Sequence, residues 1–365
     1  AEPVRIGIVT KWFSSGQAVV SRQLRSALNE LGHETFVLAR QGKGPRTQER
    51  RGDDLVWDQP GITEVPESDV PLAEYERWVD ENGIEVVLCD NLYQFDELAA
   101  LRRRGVRTVG RFVWEHFSER HVRPAREAFE LVYSLTRAEQ QRYRAFGIES
   151  PYVTWGCHPE LLAYGEDGAV RDDSDGVLFY LPGSFMGRRK PIAEILEAFS
   201  RTRDPRLRLV LKGQVERRVG ILREAQARDS RIQVVLEDQP TDEHFRFVAS
   251  CDVCLSPTRW EGLGLPLFEA LAFGQPAITN DNPPMNEIVR DGVNGRLVAA
   301  HADGTARSGI PAWTPEIEDL SEAIERLADD EERNRLTAGA RELRDSERSW
   351  RRTVKGFGEL LERVA

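Results

Sequence analysis

The chain has 365 residues, 40% apolar and 30% charged, with a net charge of −11 at pH 7. That length exceeds one ordinary core and suits two domains of roughly 150–200 residues each. The acidic balance argues against nucleic acid and against an anionic membrane surface as default partners. No apolar run reaches the ~18 residues that span a bilayer, and no basic-then-apolar start reads as a signal peptide. The expectation is a cytoplasmic protein with at most peripheral membrane contact.

Val4–Thr10 reads as a buried parallel strand, followed by the loop Trp12-Phe-Ser-Ser-Gly16. A helix comes next with Val20, Leu24, Ala27, Leu28 and Leu31 on one face, then a strand at Thr35–Leu38. This strand–loop–helix–strand order opens a doubly wound α/β domain. The polar stretch Arg40–Gln59 reads as a mobile loop, and further strands are expected at Val86–Cys89, Thr108–Val113 and Leu131–Tyr133. Residues 166–176 read as a linker, after which the pattern restarts. Strand Val177–Leu181 leads through a basic turn to a helix opening at Pro191, and strands follow at Leu207–Leu211, Ile232–Leu236, Asp252–Leu255 and Pro276–Thr279. The expected organisation is therefore a Rossmann-like domain over 1–165, a linker over 166–176, a second Rossmann-like domain over 177–345, and a helix over 346–365 that packs on either domain. Ligands of such domains bind at the carboxyl ends of the strands, so a ligand would lie in the cleft between the two.

Of the four cysteines, Cys251 and Cys254 have a metal-like or redox-like spacing but no second pair or nearby His, so both read as small buried hydrophobes. Asp173-Ser-Asp175 has the spacing of a metal-binding pair but falls in the expected linker, so no metal is expected.

The informative stretch is Ser256–Pro276, which runs from a short buried strand through a Gly-containing loop into a helix. Pro266 suits the first helical position and Gly274 the stop. The helix start leaves N–H groups at Leu265, Leu267 and Phe268 for an anion, and Gly262 and Gly264 let the backbone approach it. Glu261 and Glu269 flank the loop; beside a phosphate they suit hydroxyl groups, such as those of a sugar and a ribose. One loop could thus hold every part of a nucleotide sugar.

This run resembles the Glu-x7-Glu signature of glycosyltransferase family 4, retaining enzymes of the two-Rossmann architecture called GT-B. Asn280–Val298, with turns at Asp291-Gly292 and Asn294-Gly295, is similar to the family's next segment. The resemblance implies an α/β chain of two doubly wound domains facing across a cleft. The implied activity is metal-independent, retaining transfer of a sugar from a nucleotide-diphosphate donor, of UDP or GDP type, to a small-molecule, glycan or lipid-linked acceptor. No separate cofactor is implied. By resemblance Glu261 contacts the transferred sugar and Glu269 the donor ribose. The family's diphosphate-binding cations fall in Leu181–Pro191; here Ser184 replaces the usual first Arg, and Arg188, Arg189 and Lys190 cluster instead. Arg189 and Lys190 are the expected catalytic cations, which would stabilise a leaving diphosphate, with Arg188 and Lys212 as further donor-binding candidates. Gly16 stands where the family has a Gly-rich loop, although a plain helix cap reads equally well. His116 stands where the family places a His near the sugar C6 hydroxyl, with Glu115 as its rival. Trp12, Phe13 and Tyr93 read as core or as an acceptor surface. A non-catalytic nucleotide-sugar-binding protein and a sugar-nucleotide epimerase are the competing readings. No role is read into 300–315.

Overall fold

The structure, a computed structural model, describes residues 2–43, 54–166, 176–184, 187–213 and 219–365. The chain divides into two units, Ala1–Trp155 with Arg351–Ala365, and Gly156–Trp350.

The first unit is built on a six-stranded parallel sheet. Its strands are β1 (Arg5–Thr10), β2 (Glu34–Ala39), β3 (Ile62–Glu64), β4 (Val86–Asp90), β5 (Arg107–Arg111) and β6 (Leu131–Val132), in spatial order β3-β2-β1-β4-β5-β6. Buried apolar runs form β1 and β4 because helices cover both faces of a parallel sheet. These are α1 (Gly16–Glu30), α2 (Leu72–Asn82), α3 (Phe95–Arg103), α4 (Val122–Ala128) and α5 (Arg137–Ala145). Close approach decides some sequence choices. A Cβ on Gly7 would stand 2.4 Å from Trp78 Cη2, so only glycine lets α2 pack its tryptophan on β1.

The second unit repeats the plan with β7 (Val177–Ser184), β8 (Leu207–Gly213), β9 (Ile232–Leu236), β10 (Val253–Leu255), β11 (Ala277–Asn280) and β12 (Gly295–Val298), in order β12-β11-β10-β7-β8-β9, all parallel. Helices α6 (Pro159–Glu166), α7 (Ile192–Ser200), α8 (Val219–Arg228), α9 (Thr241–Ala249), α10 (Leu265–Phe273), α11 (Met285–Ile288), α12 (Ile317–Arg326) and α13 (Asp330–Asp345) belong with it. Phe179, Leu181, Ile195, Phe199, Leu209, Leu211, Leu255, Ile278 and Ile324 sit in one core between sheet and helices.

Several boundaries differ from the sequence expectations. The chain changes unit at Trp155–Gly156, ahead of the expected linker, because α6 packs on α9 and α10. Gly165 makes this fit possible, since a Cβ there would lie 2.8 Å from the Ala272 carbonyl oxygen. Most of the expected linker, with Asp173 and Asp175, lies outside the described residues. The C-terminal helix α14 (Trp350–Glu362) straddles the division: Trp350 packs on His158 of the second unit, Phe357 on Tyr133 of the first. Within the expected mobile loop Leu55–Trp57 forms a 3-10 turn, where Trp57 is buried edge-on to Trp12 and receives its indole N–H on the carbonyl at 2.8 Å. Trp12 and Phe13 are fully buried and belong to the core. Segment 300–315 is an antiparallel hairpin of β13 (Ala300–Thr305) and β14 (Pro311–Pro315).

Candidate functional site

Two loops at the carboxyl ends of strands in the second unit build the site. The first follows β7, whose last residue, Ser184, has a left-handed backbone with φ 50°. Past the undescribed residues 185–186 it turns through Gly187–Lys190 into α7, the Lys190 N–H closing on the Gly187 carbonyl at 3.0 Å. The second follows β10 and runs from Ser256 to Gly264. A backbone hydrogen bond from Arg259 N to Arg189 O, 2.9 Å, joins the two loops.

That junction sets three charges against one another. Glu261 is buried, with Oε2 3.2 Å from Arg189 Nη1 and Oε1 3.7 Å from Lys190 Nζ. Lys190 is itself buried, and burial pulls its ammonium down from the ordinary lysine value to about 8 although the Glu261 carboxylate pushes the other way. Arg189 is one-third exposed, whereas the Arg188 side chain points to solvent and its carbonyl accepts from Arg259 Nη1 at 3.3 Å. Of the three clustered cations the structure therefore gathers Arg189 and Lys190 around Glu261 and leaves Arg188 outside.

Gly264 caps α10 with φ 89°, a left-handed conformation that glycine adopts without strain. Pro266 occupies the second helical position, one later than expected, which leaves the Leu265 N–H at the first. The Leu267 N–H is taken by the Gly264 carbonyl at 2.9 Å, so it is not the unpaired donor that the sequence suggested. Glu269 lies half-buried on α10 and makes no hydrogen bond or ion pair among the described residues. Burial, then the nearby Glu160 carboxylate, push its carboxyl up to about 8, against the pull of Lys190.

Sequence reasoning missed the polar lining of the second loop. Thr258 Oγ1, Arg259 Nε and Asn280 Oδ1 are buried without hydrogen-bond partners among the described residues, an arrangement rarely left in a core. Arg259 also reaches the hairpin, with Nη2 2.6 Å from the Asp303 carbonyl and 3.2 Å from its carboxylate, while its own carbonyl accepts from Trp313 N at 3.0 Å. The signal available was the polar set Thr258-Arg259 after an apolar strand.

Lys212 makes its contacts elsewhere in the second unit. Lys212 donates to Gln239 Oε1 and to His244 Nδ1, the latter at 2.9 Å, and stands 5.1 Å over the Phe247 ring. His244 is held neutral, its value lowered to about 3 by burial and then by the Lys212 charge. In the first unit Gly16 opens α1, and a Cβ there would meet nothing within 4 Å among the described residues; Ser15 stands at the cap position, but its hydroxyl makes no capping bond and is buried without a partner among them. His116 is exposed after β5, with Nδ1 3.1 Å from Asn91 Nδ2. Cys251 and Cys254 are buried thiols that form no disulfide among the described residues; Cys251 leans its sulfur toward the Phe247 carbonyl and Cys254 toward that of Pro266. Among the described residues no helix is long and apolar enough to cross a membrane.

Residues 175–343 match the family model described as glycosyl transferases group 1. The putative glycosyltransferase EpsD of Bacillus subtilis (strain 168) is 32% identical over 145 residues, covering 36% of this chain and 34% of EpsD. Matches to curated relatives span 13 to 34% of those proteins' own length. Sucrose-phosphate synthase from Thermosynechococcus elongatus superposes with a TM-score of 0.75 at 16% identity, over 99% of this chain and 98% of that one. HepE of Anabaena, in complex with UDP, gives 0.75 at 14% identity over 98% and 99%. The fold is thus GT-B, with two Rossmann-like domains. The segment 175–343, which carries the basic turn, Glu261 and Glu269, is thus the part of the chain that matches the glycosyl transferases group 1 family.

Proposed function

We propose that the protein is a retaining, metal-independent glycosyltransferase that takes a sugar from a nucleotide-diphosphate donor of UDP or GDP type. The observation that carries this reading is the Glu261 carboxylate held between Arg189 and Lys190 at the entry to α10, with the unpartnered Glu269 carboxyl further along that helix. A diphosphate gains charge as the glycosidic bond breaks, and fixed cations beside it lower that barrier without a metal ion. Glu261 then addresses sugar hydroxyls and Glu269 the ribose; a carboxyl near its midpoint both donates to and accepts from a diol. The Leu265 N–H adds a backbone donor at a helix start. Retention follows if the departing phosphate oxygen takes the acceptor's proton on the face that it leaves. HepE, a neighbour in fold, is described in complexes with UDP and with UDP-glucose, which supports the donor class. The acceptor, whether small molecule, glycan or lipid-linked, is assigned to the first unit, and the site needs no cofactor besides the sugar nucleotide.

The test is a thermal-shift screen of UDP, GDP, ADP, TDP and their common sugar conjugates on the wild type and on Glu269→Ala. A shift with one nucleotide, lost in the variant, is expected, together with slow hydrolysis of the matching sugar nucleotide. A well-folded protein that responds to none of them refutes the reading. Binding without turnover points to a non-catalytic relative, and a changed sugar still joined to its nucleotide to an epimerase.

A further inference from the structure

The first unit holds a cavity of about 340 Å³ that shares no residue with the two loops of the donor site. Its walls are α5, the segment 149–152 that follows, and Arg363 just past α14. Local structure brings these pieces together. Gly147, with φ 77°, turns the chain back at the end of α5. The Ser134 N–H then donates to the Pro151 carbonyl and the Val153 N–H to the Ser134 carbonyl, both at 2.9 Å, which extends the ladder past β6. Phe357 packs edge-on to Tyr133, and Leu360, Leu361 and Val364 are buried, so the end of α14 is seated on the same unit.

The lining is basic. Arg137, Arg144 and Arg363 stand against one carboxylate, Glu149, in a chain that carries 61 acidic and 50 basic residues. Arg137 is held in place. Its guanidinium lies 3.7 Å over the Tyr152 ring, and Nη1 donates at 2.9 Å to Gln140 Oε1, whose Nε2 donates to the Ser150 carbonyl at 3.0 Å. Arg144 and Arg363 are exposed, and among the described residues neither side chain makes a hydrogen bond or an ion pair, with Glu149 or with any other group. Exposed arginines elsewhere are answered locally, as Arg104 by Glu76 and Asp80 and Arg246 by Asp242.

A guanidinium is a planar fork of N–H donors that matches phosphate oxygens two at a time. A carboxylate has one such edge, which a single arginine satisfies. A phosphate monoester has up to two charges and three terminal oxygens, enough to engage arginines from two elements at once. The volume falls at the small end of ligand sites, which leaves room for the group that carries the phosphate.

We propose that this cavity binds a phosphate monoester, carried by a soluble molecule or by a lipid headgroup, with Arg144 and Arg363 as the phosphate forks and Arg137 as a fixed charge beside them. The site stands on its own residues and does not rest on the transferase reading.

The test titrates the full chain with glycerol phosphate by calorimetry, with glycerol as the uncharged control. Glycerol phosphate should bind with a Kd on the order of 1 mM or tighter, and glycerol should not. Arg144→Gln combined with Arg363→Gln should weaken binding about tenfold or more, the worth of one charge-assisted hydrogen bond, with an unchanged melting temperature as the check on folding. Glu149→Gln removes the one opposing charge and should tighten binding about threefold. Arg189→Gln, in the other unit, should leave binding as it is. Sedimentation with phosphatidylcholine vesicles, with and without phosphatidic acid, separates the two sources. Retention that needs phosphatidic acid and is lost in the paired variant assigns the phosphate to a headgroup, and calorimetric binding without retention assigns it to a soluble monoester. No binding of glycerol phosphate, an affinity unchanged in the paired variant, or one that Glu149→Gln weakens overturns the proposal. Binding lost in Arg189→Gln and kept in the paired variant belongs to the basic turn of the second unit and overturns it equally.

Discussion

Replacing Lys190 by methionine tests the electrostatic account of the site most directly. The side chain is 3% exposed, and its ammonium falls from an ordinary 10.5 to about 8 even with Glu261 3.7 Å away. That drop corresponds to roughly 3 kcal/mol against the charged form at neutral pH. Methionine has similar length and no charge to desolvate, so it should recover most of that cost. Glu261 loses one partner but keeps Arg189 at 3.2 Å, a pair open enough to water that the loss offsets only part of the gain. Lys190→Met should therefore be as stable as wild type at pH 7 or more stable by up to about 2 kcal/mol. The pH dependence fixes the sign. A lysine whose folded value is lowered penalises the fold fully below that value, and the penalty fades as pH rises from about 8 toward the unfolded 10.5. The variant's lead should accordingly shrink between pH 8 and pH 10.5. Urea-unfolding midpoints of both proteins at several pH values across that window, read beside calorimetric titration with the nucleoside diphosphate found in the screen, give the two readouts. Nucleotide affinity should drop about tenfold or more, the value of one charge-assisted hydrogen bond. A variant clearly less stable at pH 7, a lead that grows with pH, or unchanged nucleotide affinity would refute the reasoning.

Glu269→Gln keeps the shape of the side chain and removes its titration. A carboxyl raised to about 8 stabilises the fold below its unfolded value of 4.5 and loses that contribution as pH climbs through 8, so the variant's melting temperature should pull ahead of wild type across that range and then level off. Arg259→Ala cuts the tie between the basic turn and the hairpin, which makes contacts at 2.6 to 3.3 Å. It should weaken nucleoside-diphosphate binding roughly threefold to tenfold and speed proteolysis within 300–315, read by calorimetry and by a digestion time course. Arg111→Met strands two buried carboxylates, Asp90 at 2.9 Å and Glu139 at 3.0 Å, and should cost about 3–5 kcal/mol in chemical denaturation. Burial holds both carboxyls above their usual range, so that deficit should narrow as pH is lowered and they take up protons.

The strands of both sheets were legible because parallel strands buried on two faces are short apolar runs between turn residues, as at Val86–Cys89 and Leu207–Leu211. Strands β3 and β12 were not, since no residue of β3 is fully buried, the middle two of β12 are only partly so, and each sits at a sheet edge, on β2 and on β11. The unit boundary was misplaced because α6 buries a single large side chain, Leu161, and packs through Gly165, which leaves little apolar periodicity to read. Arg111 did leave a signal that went unused. A charged residue inside the apolar strand Thr108–Val113 has to find buried partners, and Asp90 with Glu139 supply them from other elements.

On the proposed reading the same ion pairs explain why a lysine survives in so costly a place. Before the sugar nucleotide arrives, Glu261 is the counter-ion that keeps Lys190 charged at neutral pH and steers the Arg189 guanidinium inward. Two cations against one carboxylate leave a local positive excess in a chain whose net charge is −11, so an incoming diphosphate meets attraction at this spot and repulsion over most of the surface. As the phosphates approach, they take over as counter-ion, and the Glu261 oxygens turn to the sugar hydroxyls beside them. Lys190 then gains charge stabilisation that the empty site lacks, and it gains most when the leaving group carries most charge. The roughly 3 kcal/mol held against folding at neutral pH is thus returned where the reaction needs it, which is why stability and nucleotide affinity should move in opposite directions in Lys190→Met.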